Sequence, residues 1–110
     1  TSRQDDYDPL ATKLYADLRR TWERAIEEVL LNQVVLRFRP GVETQRLKKI
    51  GDIDRGDLET VEQGMTKCSK WEGGHDQALA MNERLPPPDE LKQDIDLLEN
   101  WVNAVERRRR

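Results

Sequence analysis

The residues with the clearest chemical potential are Cys68, His75 and Asp76. An adjacent His–Asp pair can supply ligands to a catalytic metal, but such a centre needs further ligands, and His75 is the only histidine. A structural zinc site needs four ligands, which Cys68 and His75 cannot provide. Cys68 could act as a nucleophile beside His75, but it falls on the apolar stripe of a predicted helix, which favours a buried and inert thiol. The sequence therefore predicts no catalytic or metal site in this chain.

The glycines do not form a phosphate-binding loop. Their positions match neither G-x-x-x-x-G-K-[ST] nor G-x-G-x-x-G. Acidic residues are frequent, but pairs such as Glu27 and Glu28 are neighbours in the sequence and are expected to be solvated. We therefore expect no cofactor to bind within this chain.

The strongest polar feature is a basic stretch between residues 37 and 50. Only Glu43 opposes its five cations, which are Arg37, Arg39, Arg46, Lys48 and Lys49. The tail Arg107–Arg110 adds four more. Such an excess can contact phosphates or an acidic partner, but the chain as a whole has a net charge of −3 and only 5% aromatic residues. A solvated turn, a surface for a protein partner and a nucleic-acid contact all stay open at this point.

The stretch that organises the chain is Leu14–Phe38, in which apolar residues recur at steps of three and four. It predicts a first helix from Asp8 or Pro9 to Phe38, stopped by Pro40 and Gly41. Residues 1–7 are expected to be a frayed lead-in. From residue 30 to residue 38 the apolar residues no longer keep to one face, which indicates burial on all sides or contact with another protein. The candidate interface residues are Leu31, Val34, Val35 and Phe38.

Two further helices are predicted. The first, Arg55–Trp71, is capped by Asp54 and carries an apolar stripe of Leu58, Val61, Met65, Cys68 and Trp71. Gly64 inside it costs roughly 1 kcal/mol relative to Ala, so we expect the first helix to approach closely there. The second begins at Asp89 and has the most regular seam in the chain, Leu91, Ile95, Leu98, Val102 and Val105.

Short helices are expected to connect these three. One falls within residues 42–50, with Val42, Leu47 and Ile50 facing inward, and another spans His75–Arg84. Each main helix carries one tryptophan, and Trp22, Trp71 and Trp101 are expected to share a core. The fold class is therefore all-α, a single domain over residues 1–110 formed by a small bundle of three main helices with short connecting helices.

Composition bears on the compartment in which the protein is found and on whether it crosses a membrane. One cysteine excludes an internal disulfide and fits a reducing compartment, and no run approaches the ~20 apolar residues of a membrane helix. No signal peptide is recognised, so a cytoplasmic location is expected. The chain begins Thr-Ser rather than Met, which suggests the C-terminal fragment of a larger protein.

Several segments of the chain carry an extended similarity to a known family: Leu18–Asn32, Val35, Arg37–Gln45, Gly64–Trp71, His75–Asp76 and Pro88–Leu91, with Asp94, Ile95, Leu98, Glu99 and Trp101. In these segments, which cover most of the chain, the protein resembles the C-terminal end of large bacterial RecF/SMC-like ATPases, of the ABC type and often described as AAA proteins, which are linked to phage defence and mobile elements. The segments include no nucleotide-binding motif, so the resemblance implies an ATP-binding core elsewhere in the protein.

Taken together, the expected function is non-catalytic: a helical interaction or assembly module for such an ATPase. Its expected partner is the ATPase core or another protein subunit, and self-association is compatible with it. The alternative is an accessory domain that contacts nucleic acid through residues 37–49. No membrane association is expected.

Overall fold

A computed structural model of the protein describes residues 2–73 and 84–110, with side chains from residue 6 onward. Helix α1 spans Ser2–Ala25 and continues into a π-helical turn, Ile26–Leu30. A 3₁₀ turn, Thr44–Arg46, leads into the short helix α2, Leu47–Ile50. Helices α3 and α4 span Arg55–Trp71 and Pro88–Arg108. The part of the chain described contains no strand, which confirms an all-α bundle of three main helices. The predicted helix at His75–Arg84 lies outside the described residues except for Arg84.

Each main helix turns a heptad-spaced face towards the core. On α1 the buried residues are Ala11, Tyr15, Leu18, Trp22 and Ala25. On α3 they are Asp57, Gly64, Cys68 and Trp71, with Val61 partly buried. On α4 they are Leu91, Leu98, Trp101 and Val105, with Asp94 between the first two. Alternating steps of three and four are those of coiled-coil core positions, so the three helices pack as a short three-stranded bundle.

Helices α1 and α4 run parallel. The Tyr15 hydroxyl donates to Asp94 at 2.6 Å, and the Arg109 guanidinium donates to the Leu30 carbonyl at 2.9 Å, both across an offset of 79 residues. Trp22 and Trp101 have the same offset, and their ring centroids are 5.4 Å apart. Helix α3 runs antiparallel to both, since Asp57 near its start contacts Trp101 while Lys67 near its end contacts Asp94.

Gly64 lies directly beneath the Trp22 ring. A Cβ added at Gly64 would be 2.3 Å from Cζ2 and 2.4 Å from Cε2 of that ring. This confirms the expected close approach of α1 to α3 and explains a helix-weakening glycine at this position. All three tryptophans belong to the same buried core.

The predicted ends of the first helix are wrong. The helix begins at Ser2, because it continues through Pro9 and because Tyr7 is anchored by a hydrogen bond from its hydroxyl to the Pro86 carbonyl. It stops before Asn32 rather than at Phe38, because Asn32 and Gln33 adopt left-handed backbone conformations with φ of 48° and 59°. Asparagine is a common left-handed stop after a helix.

Four apolar residues assigned to inward faces lie at the surface. They are Val42, Leu47, Leu58 and Ile95. Val42 precedes α2 and Leu47 is its first residue, and this helix makes one turn only and has no buried residue. The other two lie beside core faces that include Asp57 and Asp94, polar residues that an apolar pattern passes over.

Candidate interaction surface

The chain reverses direction after α1 in a segment, residues 31–43, that we call the reversal loop. Its two left-handed residues turn the chain back along α1. The Glu43 amide donates to the Val34 carbonyl at 2.8 Å, and the Arg39 amide donates to the Leu36 carbonyl at 3.0 Å. The Asn32 side chain donates to the Arg46 carbonyl at 3.1 Å. These bonds close the loop at its base and give it one defined conformation.

Arg37 ties the loop to α1. Its amide and its Nε donate to Glu27 at 2.6 and 2.9 Å, and its Nη1 donates to Glu23 at 3.1 Å. The backbone and side-chain hydrogen bonds from Arg37 lower the pKa of the Glu27 carboxyl, and Glu27 in turn raises the pKa of Arg37. The guanidinium proposed from the sequence as a contact for a partner is therefore engaged within the chain.

Arg39 also has an internal role. Its Nη2 donates to the carbonyls of Gln33 and Val34, the residues at which the chain reverses. A cation that binds successive carbonyls stabilises a left-handed turn, whose carbonyls have no helical partner. Of the five cations in the basic stretch, Arg37 and Arg39 thus hold the loop, while Arg46, Lys48 and Lys49 are exposed.

Phe38 lies at the tip of the reversal loop and is 96% exposed. Val35 is 45% exposed, whereas Val34 is buried and Leu31 is half-buried. The four residues proposed as an interface therefore divide into two exposed at the surface, Val35 and Phe38, and two that are buried or half-buried, Val34 and Leu31. Phe38 is thus a large apolar side chain displayed on a loop that hydrogen bonds hold in place.

A groove runs between the tip of the loop and α1. Its loop side consists of Leu36–Arg39, and its helix side consists of Arg20, Glu23, Arg24, Glu27 and Glu28. Most of the exposed lining is apolar, because the aliphatic stems of the charged side chains, the Phe38 ring and Leu36 form it. Phe38 therefore both protrudes from this surface and forms one wall of its groove.

A second surface gathers the two basic segments of the sequence at the end of the bundle where α1 and α4 finish. Asp52 accepts hydrogen bonds from Arg108 at 2.8 Å and from Arg109 at 2.9 Å. These bonds bring Lys49 within 3.5 Å of the Arg109 carbonyl. Arg109 additionally donates to the carbonyls of Val29 and Leu30 and so caps the C-terminus of α1. We call this surface the basic end.

Two titratable groups in the core, Tyr15 and Cys68, have pKa values raised by burial. Burial, followed by the hydrogen bond to Asp94, raises the pKa of Tyr15 far above its ordinary value. Burial likewise raises the pKa of the Cys68 thiol to about 11. Both groups are therefore neutral at physiological pH, the reverse of what an activated nucleophile requires. Lys67 completes this cluster by donating to Glu90 and Asp94 at 2.6 and 3.0 Å.

A metal centre is not formed by the part of the chain that the structure describes, which holds no group of three His, Cys, Asp or Glu side chains suited to one. His75 and Asp76 lie outside the described residues. Within residues 2–73 and 84–110, no helix combines the length and apolar character needed to cross a bilayer.

Several residues that shape these surfaces were not predicted from the sequence. Glu23 and Glu27, which are four residues apart on the surface of the first helix, form the anchor for Arg37. In the sequence, only the position of these two glutamates ahead of the basic segment indicated this contact. The contact between Asp52 and Arg109, which are 57 residues apart, could not be predicted, because nothing in either segment specifies the other. No family model, curated protein or solved structure matches this chain.

Proposed function

We propose that this domain is a non-catalytic interaction module of a larger RecF/SMC-like ATPase acting in phage defence or DNA metabolism in the cytoplasm. The reversal loop is its contact surface. The single observation that carries the proposal is Phe38, which is 96% exposed on a loop held by hydrogen bonds from Arg37, Arg39 and Glu43. The parentage comes from the sequence resemblance alone.

The conformational freedom that a loop loses when it binds a partner affects the affinity of the complex. A flexible loop would lose conformational freedom on binding, and that loss would weaken the complex. Here the folding of the domain has already ordered the loop, because Glu23 and Glu27 on α1 fix Arg37 next to Phe38. Burial of an aromatic side chain on a preordered surface is the arrangement found at interface hot spots.

Co-purification tests the proposal. The domain is mixed with the separately expressed ATPase core of its parent protein, and Phe38→Ala is compared with Leu58→Ala, which truncates an apolar side chain that is 57% exposed on α3. We expect Phe38→Ala to weaken the complex at least about tenfold, as truncation of a hot spot does, and Leu58→Ala to leave it unchanged. Equal affinities for the two variants would contradict the role of the loop.

Nucleic-acid contact is a second candidate function, and the basic end favours it. The 3.5 Å approach of Lys49 to the Arg109 carbonyl brings residues 46–49 next to the tail of α4. Among the described residues, Arg46, Lys48 and Arg107 have no acidic partner within 4.0 Å and can face phosphates.

Binding of a fluorescent oligonucleotide across a series of salt concentrations tests this second function. Each lysine or arginine that contacts a phosphate contributes about one unit to the slope of log affinity against log salt. Lys48→Ala should therefore lower both affinity and slope, whereas Lys92→Ala, which removes an exposed cation paired with Asp96 on α4, should change neither. Absence of binding even at low salt would eliminate the nucleic-acid function.

A further inference from the structure

We propose that the occupant of the groove beside the reversal loop is the Phe38 side chain of a second copy of this chain, so that the module pairs two protomers through a two-fold contact. The inference depends on the proposed function, since it takes the reversal loop as the contact surface and names what binds there.

The protruding side chain and the groove lie next to each other on one surface. Phe38 projects from the same surface whose groove it lines together with Leu36. In a two-fold contact each copy presents the same patch, so a patch with both a protrusion and an adjacent groove can complement itself. Each ring then enters the groove of the other copy, and the two rings pack against one another across the axis. Aromatic pairs are favourable beyond the area that they bury.

Ion pairs formed within the chain surround the groove. Each cation that lines it has a partner in its own chain: Arg20 pairs with Asp17, Arg24 with Glu28, and Arg37 with Glu23 and Glu27, while Arg39 donates to backbone carbonyls. Two such surfaces can face each other without repulsion between uncompensated charges. A polyanion gains little from them, because three of these four cations are already paired with carboxylates and the fourth, Arg39, is engaged by backbone carbonyls, in contrast with the exposed cations of the basic end.

Leaving the Phe38 ring in water costs free energy. The protein uses two left-handed residues and a set of ion pairs to hold Phe38 away from its own core. Left-handed non-glycine residues cost free energy and persist where surrounding contacts determine them. Burial of the Phe38 ring in the groove of a second copy would offset this cost.

Sedimentation velocity over a range of protein concentrations tests the inference on the whole chain. We expect the wild-type sedimentation coefficient to rise with concentration and Phe38→Ala to weaken the association at least about tenfold. Phe38→Leu, which keeps an apolar side chain, should weaken it less. Leu58→Ala should behave as the wild type does.

Cross-linking locates the contact. Cys68 is 1% exposed, so Pro40→Cys adds one accessible thiol beside Phe38. A short bismaleimide should link Pro40→Cys into dimers, and the link should be lost when Phe38→Ala is added. A thiol introduced by Leu58→Cys should not link. Dimers that survive Phe38→Ala would overturn the inference, because the contact would then lie elsewhere.

The outcomes separate the two claims. If the wild type is a monomer at every concentration while Phe38→Ala still abolishes co-purification with the ATPase core, the loop binds a different protein and only the second-copy inference fails. If Phe38→Ala affects neither self-association nor co-purification, the proposed function fails with it.

Discussion

Gly64 provides the sharpest test of how the bundle is packed, because two effects predict opposite signs for Gly64→Ala. Helix propensity alone favours Ala over Gly by about 1 kcal/mol. Packing opposes the change, since the new Cβ would be 2.3 Å from Cζ2 of Trp22 and 2.8 Å from its Nε1. Ordinary contact begins near 3.4 Å, so the ring or the helix backbone would have to move by about 1 Å, the size of misfit at which overpacking becomes costly.

The ring has little room to move. Trp22 is fully buried, and the Trp101 ring packs against it with the two centroids 5.4 Å apart. We therefore take the upper part of the range for overpacking, about 3 kcal/mol. Subtracting the gain in propensity of about 1 kcal/mol leaves a net destabilisation of about 2 kcal/mol. For a domain of this size that corresponds to a melting temperature about 10 °C lower.

Urea denaturation followed by circular dichroism and by tryptophan fluorescence measures the change. Gly51→Ala is the matched control, because its Cβ would meet only the Lys48 carbonyl at 3.6 Å and its backbone is already helical. That variant should be neutral or slightly stabilised. An increase in stability for Gly64→Ala would refute the packing argument, since propensity would then dominate.

A double-mutant cycle identifies the clash itself. The Nε1 of Trp22 has no hydrogen-bond partner among the described residues, so Trp22→Phe removes the indole atoms that face Gly64 without breaking a hydrogen bond. Gly64→Ala should cost less in the Trp22→Phe background than in the wild type, with a coupling energy of at least about 1 kcal/mol. Additive effects would show that the two residues do not interact as described.

Three further outcomes follow from the polar contacts and the core. Arg109→Ala should destabilise the domain by about 2 kcal/mol in thermal unfolding, because it removes the donor to the carbonyls of Val29 and Leu30 and one of the two arginine partners of Asp52; Arg110→Ala, one residue on and exposed, should change stability by less than about 0.5 kcal/mol. Hydrogen bonds from Arg109 and Arg108 hold the pKa of Asp52 well below its usual range. The stabilisation they give is present above the unfolded-state pKa of about 3.9 and is lost as pH falls below it, so Asp52→Asn should flatten the acid side of the stability profile. Cys68, buried and with its pKa raised to about 11, should react with a thiol reagent at pH 8 only when the domain unfolds, and rapid labelling of the native protein would contradict its place in the core.

The comparison of α4 with its sequence shows where a hydrophobic pattern stops being informative. The apolar seam Leu91, Ile95, Leu98, Val102 and Val105 and the observed core face share three residues. The structure replaces the other two with Asp94 and Trp101. Asp94 is acceptable there because Tyr15 and Lys67 donate to it, and these partners come from other helices. A pattern based on hydrophobicity cannot anticipate a polar residue whose partners lie so far away in sequence.

The end of α1 shows a second limit of prediction from the sequence. Pro40 and Gly41 are the strongest stop signals in that stretch, yet the helix ends before Asn32. The early stop depends on contacts made after the chain has reversed, from Arg39 to the Gln33 carbonyl and from Arg109 to the last carbonyls of the helix. The sequence does predict a change of environment at residues 30–38. It does not predict that Phe38 becomes a solvent-exposed tip while Val34 turns inward.

The two carboxylates of the core connect the packing of the bundle to the display of Phe38. Asp94 lies towards the start of α4, and Asp57, which accepts from Trp101 at 3.0 Å and from Arg108 at 2.9 Å, lies at the start of α3. A slip of α4 by one heptad would separate both carboxylates from their donors and Trp101 from Trp22. Buried polar residues at core positions fix helix register in this manner. Because the same register places Arg109 on the last carbonyls of α1, it also fixes the point at which the reversal loop leaves the bundle.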